Sequence, residues 1–237
     1  GVVPEVASRR HTELVNEVIA EAMSRAGVTW DDLAAVAVTQ GPGLIGALLV
    51  GLATAKSVAC RRRLPLIPVN HLQGHIAANY ALGIEAPFIC LVASGGHTLL
   101  AVVEEGVRYR VAAKTLDDAA GEAFDKGARL LGLGYPGGKE LDRLAARGDP
   151  GFARFPRSMP RGRGFSFSGL KTALLYDLRD RDEAEVEAHR ADIAASYQAA
   201  IVRQLVEKTV AGAQHEGLRS VAVAGGVAAN SGLRAAL

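Results

Sequence analysis

The segment FICLVASGGHTLLAVVEE, residues 88–105, decides the fold of this chain. Two apolar runs, 88–94 and 99–105, have the length and composition of buried β-strands, and a Gly-Gly turn separates them. A third run, VRYRVAAKT at 107–115, follows directly. Three consecutive strands predict a sheet that begins after Pro87, and we interpret this point as the start of a second lobe.

The rest of the chain alternates short strands with helices. We predict strands at 34–39, 66–69 and 220–225, the first of them buried and parallel. Helices are predicted where apolar residues recur every three to four positions or small residues follow a turn, at 11–26, 44–60, from 71 onward, 119–132, 138–147, 168–178, 184–215 and after 230. Ser168 is the predicted N-cap of its helix. The pattern indicates an α/β protein with lobes at 1–86 and 87–237.

The composition is that of a globular protein without a membrane segment. Of the 237 residues 49% are hydrophobic, and the formal net charge is +2. No apolar run approaches the roughly 20 residues that a membrane-spanning helix needs, and we expect no secretory signal. Cys60 and Cys90 lie in apolar sequence, so we expect two buried thiols in a reducing, cytoplasmic compartment rather than a disulfide.

Two junctions between predicted elements carry paired glycines. SGGHT at 94–98 joins two strands, and AGGVAAN at 224–230 leads from a strand into a helix. Glycine lets the main chain approach an anion closely, and free N–H groups at a helix start bind phosphate. The first motif is also compatible with an ordinary hairpin turn, but two such loops in one α/β chain favour a nucleotide site. This site is not a P-loop, because the chain lacks that motif.

Acidic residues cluster where the helix predicted at 119–132 begins. They are Asp117, Asp118, Glu122 and Asp125. Carboxylates in a first helical turn stabilise the helix dipole, and this is sufficient reason for most of them. For Asp125 we also predict a role with Gly137 and Gly138, where a carboxylate and a closely approaching main chain can hold a ribose.

HLQGH at 71–75 places two histidines four residues apart. On a helix, His71 and His75 project from the same face, which suits two imidazoles on one metal ion. A zinc protease of the HExxH type needs Glu directly after the first His as general base. That position is Leu72 here, so the pair predicts a metal site without the base for peptide hydrolysis.

Arginines crowd a Pro/Gly-rich segment in the second half of the chain. They are Arg154, Arg157, Arg161 and Arg163. The cluster is compatible with a solvated loop and with a surface that contacts phosphates. Both interpretations stay open.

Seven motifs together resemble the tRNA N6-adenosine threonylcarbamoyltransferase family, in the family's order and over nearly the whole chain. They read GVVPEVASRRH (1–11), TQGPGLIGALLVGL (39–52), VNHLQGH (69–75), SGGHT (94–98), DDAAGEAFDKGARLLGLGYPGG (117–138), FSFSGLKTA (165–173) and AGGVAANSGLR (224–234).

The resemblance implies the two-lobed actin-like fold of sugar kinases and the heat-shock ATPase (ASKHA). It implies transfer of a threonylcarbamoyl group from threonylcarbamoyl-adenylate to N6 of the adenosine just 3′ of the anticodon, in tRNAs that read ANN codons (t6A formation). One Fe or Zn ion per subunit, with iron favoured, is expected on His71 and His75. The implied partners are tRNA, a paralogous TsaB-like subunit and a small TsaE-like ATPase, but no membrane. The implied substrate-binding residues are Ser94, Gly95, Gly96, His97, Thr98, Asp125, Gly138, Asp142 and Asn230.

By the same resemblance we expect a fragment that is incomplete at both ends. The family's first strand belongs before Gly1, and its third metal ligand, an Asp, belongs after Leu237. No covalent nucleophile is predicted. Two alternatives stay open: a metalloprotease, as an older name of the family suggests, and a non-catalytic nucleotide-binding subunit of the same fold.

Overall fold

A computed structural model of the chain describes residues 3–157 and 164–237. The chain divides into two compact units, one that ends at Gly74 and one that begins at His75. This division falls inside a helix, whereas the boundary predicted from the sequence lies between residues 86 and 87. None of the helices in the described ranges is long and apolar enough to cross a lipid bilayer.

The N-terminal unit is a parallel β-α-β unit preceded by a long helix. Its elements are α1 (Pro4–Ala26), a 3-10 helix (Trp30–Asp32), β1 (Val36–Gly41), α2 (Ile45–Arg62) and β2 (Leu66–Asn70). Strands β1 and β2 pair in parallel, with α2 as the crossover that parallel pairing requires. Gly27 ends α1 in the left-handed conformation, with φ 66°, as expected of a C-terminal glycine.

Three predictions for this unit need correction. Helix α1 begins at Pro4 rather than at residue 11, because proline fits the first helical turn, where its missing N–H has no partner to lose. β1 is parallel as predicted, but none of its residues is fully buried, since its sheet has only two strands in the described part of the chain. Cys60 is exposed near the end of α2, whereas Cys90 is buried; both are free thiols.

The second unit surrounds a four-stranded sheet with helices. Helix α3 (His71–Tyr80) enters it, followed by β3 (Phe88–Ala93), β4 (Thr98–Glu105), β5 (Arg108–Lys114), α4 (Ala120–Leu130), α5 (Gly138–Ala145), α6 (Ser168–Arg179), α7 (Glu183–Ala188), α8 (Arg190–His215), β6 (Val221–Ala224), a 3-10 helix (Gly226–Ala229) and α9 (Ser231–Ala236). The strand order is β5-β4-β3-β6. The pairs β5-β4 and β4-β3 are antiparallel, and β3 pairs in parallel with β6.

Strand β3 and helix α8 form the centre of the core. Every residue of β3 is buried, and α8 contributes an apolar stripe at helical spacing that includes Ile193, Tyr197, Ile201 and Leu205. The Tyr197 hydroxyl donates to the carbonyl oxygen of Ala123 in α4 at 3.0 Å. Burial raises the pKa of Tyr197, so the phenol stays neutral and holds α4 against α8.

The helix predicted at 184–215 is broken into α7 and α8. Asp182 caps α7 by accepting a hydrogen bond from the Glu185 N–H at 2.7 Å. At the break, His189 lies 2.9 Å from the Asp192 carboxylate and stacks on Phe152, with ring centroids 4.5 Å apart. These side-chain contacts accompany a break between α7 and α8, where the apolar pattern alone predicts one continuous helix.

Asp117 caps helix α6 from a distant part of the chain. Its carboxylate accepts hydrogen bonds from the N–H of Phe167 at 2.7 Å and from the hydroxyls of Ser166 and Ser168 at 2.6 and 2.8 Å. The N-cap position is Phe167, so the prediction of Ser168 as N-cap is wrong. Burial raises the pKa of Asp117, but these hydrogen bonds outweigh burial and hold that pKa below its ordinary value.

We expect Asp117→Ala to lower the free energy of unfolding by about 1.5 kcal/mol at neutral pH, because it removes charge-assisted hydrogen bonds at a helix start. A carboxyl group with a lowered folded-state pKa stabilises the fold above its unfolded pKa, and the effect is lost as the pH falls through the folded value. Urea denaturation at pH 7 and near pH 3 measures both.

Asp180→Ala is the matched control, since the Asp180 carboxylate is exposed and pairs with Arg179 only at 3.4 Å. It should change stability little at either pH. A stability loss for Asp117→Ala that is equally large in acid would contradict the role of the charged carboxylate.

Candidate functional site

The candidate site lies at one edge of the four-stranded sheet, where two strands end side by side. Val92 of β3 lies opposite Ala224 of β6 in a parallel pair. Parallel neighbours have their carboxyl ends at the same edge, which is where open α/β sheets bind ligands. The loop after β6 touches β3 directly: Gly225 has φ 94°, and a Cβ there would lie 2.3 Å from the Ala93 carbonyl oxygen. The loop that begins at Gly225 therefore contacts the end of β3, directly before the Gly-Gly turn at 94–98.

The first loop, 94–98, is a turn closed by hydrogen bonds between Ser94 and His97, and its two glycines face solvent. The Ser94 N–H donates to the His97 carbonyl at 2.8 Å, and the His97 N–H donates to the Ser94 hydroxyl at 3.1 Å. Gly95 and Gly96 are exposed at the tip. The hairpin interpretation is thus correct for the connection, since β3 and β4 are antiparallel, and the turn still presents its main chain to solvent beside the end of β3.

The start of α4 packs directly on this turn. The Gly121 N–H donates to the Ser94 carbonyl at 3.1 Å, and a Cβ at Gly121 would lie 2.6 Å from that oxygen. Thr98, which is buried, accepts a hydrogen bond from the Ala120 N–H at 2.8 Å. The turn and the N-terminus of α4 therefore form one rigid piece, and any side chain at 121 would separate them.

Asp125 on α4 reaches the start of the next helix. Its side chain is 8% exposed, and Oδ1 accepts hydrogen bonds from the N–H groups of Gly137 and Gly138, both at 3.0 Å. This is the proximity predicted from the sequence. Two N–H groups on one oxygen fix the carboxylate at the N-terminus of α5, where a negative charge is stabilised by the helix dipole.

The other acids near the start of α4 have different partners. Lys126 lies 2.8 Å from both Asp118 and Glu122. Burial lowers the pKa of Lys126, but the hydrogen bonds to these two carboxylates outweigh burial and raise it. Asp118 and Glu122 therefore share the Lys126 cation in a salt-bridge cluster, while Asp125 accepts hydrogen bonds from the glycine pair.

A second cluster joins α5 to the loop that precedes α9. Asn230 is 8% exposed, and its Nδ2 donates to Asp142 Oδ1 at 3.0 Å. Asp142 also accepts hydrogen bonds from the N–H and the hydroxyl of Ser231, at 3.0 and 2.7 Å. Asn230 caps α9 by accepting from the Leu233 N–H at 2.8 Å.

All nine predicted substrate-binding residues belong to one connected set of contacts. The turn of residues 94–98 is bonded to α4, Asp125 of α4 is bonded to Gly138 of α5, and Asp142 of α5 is bonded to Asn230. The set offers exposed main-chain N–H groups, carboxylate oxygens and small residues. These are the groups that bind the phosphate and the ribose of a nucleotide.

The two predicted metal ligands lie on α3. His71 is its first residue and His75 follows one turn later, so the helical i, i+4 spacing is as predicted. Asn70 supports the helix start by accepting from the Leu72 N–H at 2.9 Å. Residues 3–157 and 164–237 contain no group of three or more His, Cys, Asp or Glu side chains placed to hold a metal ion.

The arginine-rich segment is only partly within the described ranges. Arg157 pairs with Glu207 of α8 at 3.4 Å, and both side chains are more than half exposed. An exposed pair of this kind contributes little to stability. Arg161 and Arg163 lie outside the described residues.

Two side chains with clear roles were missed by sequence reasoning. The sequence predicts that Asp117 stabilises the dipole of α4, but its carboxylate caps α6. Gln198, on α8, accepts a hydrogen bond from Asn230 at 2.8 Å and was not singled out. A signal for Gln198 was present, because it is a polar residue at a buried position on the apolar face of a long helix.

Comparison with known families gives one consistent result. A family model described as tRNA N6-adenosine threonylcarbamoyltransferase matches residues 1–237. A curated protein of that name from Symbiobacterium thermophilum is 54% identical over 237 residues, which is 99% of this chain and 69% of that protein. Another from Pelobacter propionicus is 51% identical over 237 residues, 99% of this chain and 70% of that protein.

Solved structures with the same fold are more distant in sequence. T. kodakarensis HypF aligns with a TM-score of 0.66 at 17% identity, over 94% of this chain and 38% of that one. Component A of the (R)-2-hydroxyglutaryl-CoA dehydratase from Acidaminococcus fermentans aligns with a TM-score of 0.54 at 20% identity, over 92% of this chain and 71% of that one. These likenesses concern the fold alone, and the predicted α/β fold of the actin-like class is confirmed.

Proposed function

We propose that this chain, which belongs to the tRNA N6-adenosine threonylcarbamoyltransferase family, transfers a threonylcarbamoyl group to N6 of an adenosine in tRNA, the t6A-forming reaction. The reaction is an acyl transfer. The proposal is carried by the family model, which matches the whole chain. The residues of the family's motifs come together at one edge of the sheet.

Threonylcarbamoyl-adenylate is the proposed donor. The exposed glycines of the 94–98 turn lie beside the start of α4, and the main-chain N–H groups of Gly95 and Gly96 suit the phosphate. Asp125 and Asp142 provide carboxylate oxygens that accept hydrogen bonds from ribose hydroxyls. Asn230 connects Asp142 to α9 and so holds that acceptor in place.

In this reaction the adenosine N6 attacks the carbamoyl carbon. The new N–C bond forms as the C–O bond to the phosphate breaks, AMP leaves, and N6 loses one proton. The chain contributes by positioning the donor on a rigid turn and by electrostatic stabilisation of the leaving phosphate. We assign no covalent nucleophile.

One Fe or Zn ion, with iron favoured, is proposed on His71 and His75. The pair fits a metal in residue type and in helical spacing, while the remaining ligands have to come from other groups. When bound, the ion would supply Lewis-acid polarisation of substrate oxygens. The protease alternative is not supported by this pair, because Leu72 occupies the position where the zinc proteases carry their general base.

The proposed partners are tRNA, a paralogous TsaB-like subunit and a small TsaE-like ATPase, in the cytoplasm. Two free thiols support a reducing compartment. The exposed Arg157, beside its arginine neighbours in the sequence, supports a phosphate-contacting surface, although a solvated loop remains the alternative for that segment.

The function is tested by incubating the full-length protein and its partner subunits with unmodified tRNA and threonylcarbamoyl-adenylate, followed by nucleoside analysis. We expect threonylcarbamoyladenosine to appear. Binding of the adenylate without any modified nucleoside would instead support the non-catalytic nucleotide-binding subunit.

For the metal, His71→Ala combined with His75→Ala in the full-length protein should abolish stoichiometric Fe or Zn, because both proposed imidazole ligands are lost. Elemental analysis of the purified protein measures this. His11→Ala, an exposed histidine on α1, is the control and should retain the metal. Unchanged metal content in the double variant, with the fold intact by circular dichroism, would remove the pair from the metal site.

For the nucleotide, Asp125→Ala should weaken adenylate binding by roughly one to two orders of magnitude, since it removes a charged acceptor worth about 1.5–3 kcal/mol. Calorimetry measures the affinity. Glu122→Ala, three residues earlier on α4, is the matched control and should bind normally. Equal affinity for Asp125→Ala and wild type would exclude Asp125 from the site.

A further inference from the structure

We propose that Gln198 is a positioning residue for the nucleotide site, because it fixes the side-chain amide of Asn230 and, through it, the carboxylate of Asp142. The inference rests on the proposed function in taking Asn230 and Asp142 as part of that site. Gln198 lies on α8 and does not belong to the substrate-binding set predicted from the family.

The geometry leaves one orientation for the Asn230 amide. Its Oδ1 accepts from the Leu233 N–H at 2.8 Å, and a main-chain N–H can only donate. Nδ2 must therefore face the other two neighbours, Asp142 Oδ1 at 3.0 Å and Gln198 Oε1 at 2.8 Å. Both hydrogens of the amide are used, one on each oxygen.

Gln198 is itself held in place. It is 7% exposed and projects from the core helix α8, where the buried Tyr197 directly precedes it and the buried Ile201 follows three residues later. Its Nε2 lies 2.9 Å from the point that a Cβ would occupy at Gly232. The glycine thus allows the first turn of α9 to lie against the end of this side chain.

The arrangement separates two tasks among these side chains. Both amide hydrogens of Asn230 are used within the protein, so through them Asn230 ties Asp142 to α9, and Asp142 provides the carboxylate proposed for the ribose. Without an acceptor at 198, one N–H of Asn230 would be buried and unsatisfied. The amide would then rotate toward solvent or ligand and release Asp142.

The test compares a substitution that removes the acceptor at position 198 with one that keeps an oxygen acceptor there. Gln198→Met keeps the length of the side chain but removes the acceptor, and should raise KM for threonylcarbamoyl-adenylate about tenfold with kcat changed by less than about twofold. Gln198→Glu keeps an oxygen at the same position, and should keep KM within about threefold of wild type.

Thr209→Val is the control for a purely structural effect. Thr209 is fully buried on the same helix, and its hydroxyl donates a hydrogen bond to the Leu205 carbonyl of that helix, at 2.7 Å. It should alter thermal stability without a change in KM. The proposal would be overturned if Gln198→Met raised KM no more than Thr209→Val does.

A ligand-free measurement separates this proposal from the function itself. In wild type, the two side-chain N–H protons of Asn230 should give distinct, slowly exchanging NMR signals. In Gln198→Met one of them should lose its protection. If the wild-type protein forms no modified nucleoside, the proposed function fails, but the NMR signals of Asn230 still test the role of Gln198. Equal protection of the Asn230 protons in the wild type and in Gln198→Met would overturn that role.

Discussion

The parallel pairing of β3 with β6 is the constraint on which the rest of this site depends. The two strands come from opposite ends of the second unit, and their register sets Val92 beside Ala224. Only this pairing brings the turn at 94–98 and the glycines at 225–226 to one edge of the sheet. The close approach of Gly225 to the Ala93 carbonyl then leaves no room for another residue type, so strand pairing and loop composition support each other.

Much of the fold could be predicted because local sequence patterns determine it. The three strands after Pro87 and the helix that carries the histidine pair follow from runs and spacings of a few residues. The exposure of β1 and of Cys60 could not be predicted in the same way. Apolar composition does not say how many layers cover an element, and β1 belongs to a two-stranded sheet while Cys60 faces outward near a helix end.

Within the site, the sequence predicts which residue types take part, but it does not predict most of the side chains with which they form hydrogen bonds and salt bridges. The proximity of Asp125 to the glycine pair was predicted from the motif, whereas the partner of Asp118 and Glu122 was not. That partner is Lys126, which forms a salt bridge with each of the two carboxylates. Gln198 meets Asn230 across 32 residues of sequence, and such a contact exists only once α8 and the loop before α9 are packed.

The Asp117 cap has a consequence for how the protein assembles. Asp117 and Phe167 are 50 residues apart, so the start of α6 gains its acceptor only after the segment following β5 has docked. A 12-residue helix is marginal by itself in water, and closing a loop of this length costs entropy before the contact can repay it. We therefore expect helix α6 to consolidate only once the segment that follows β5 has docked and brought the Asp117 carboxylate to its first turn.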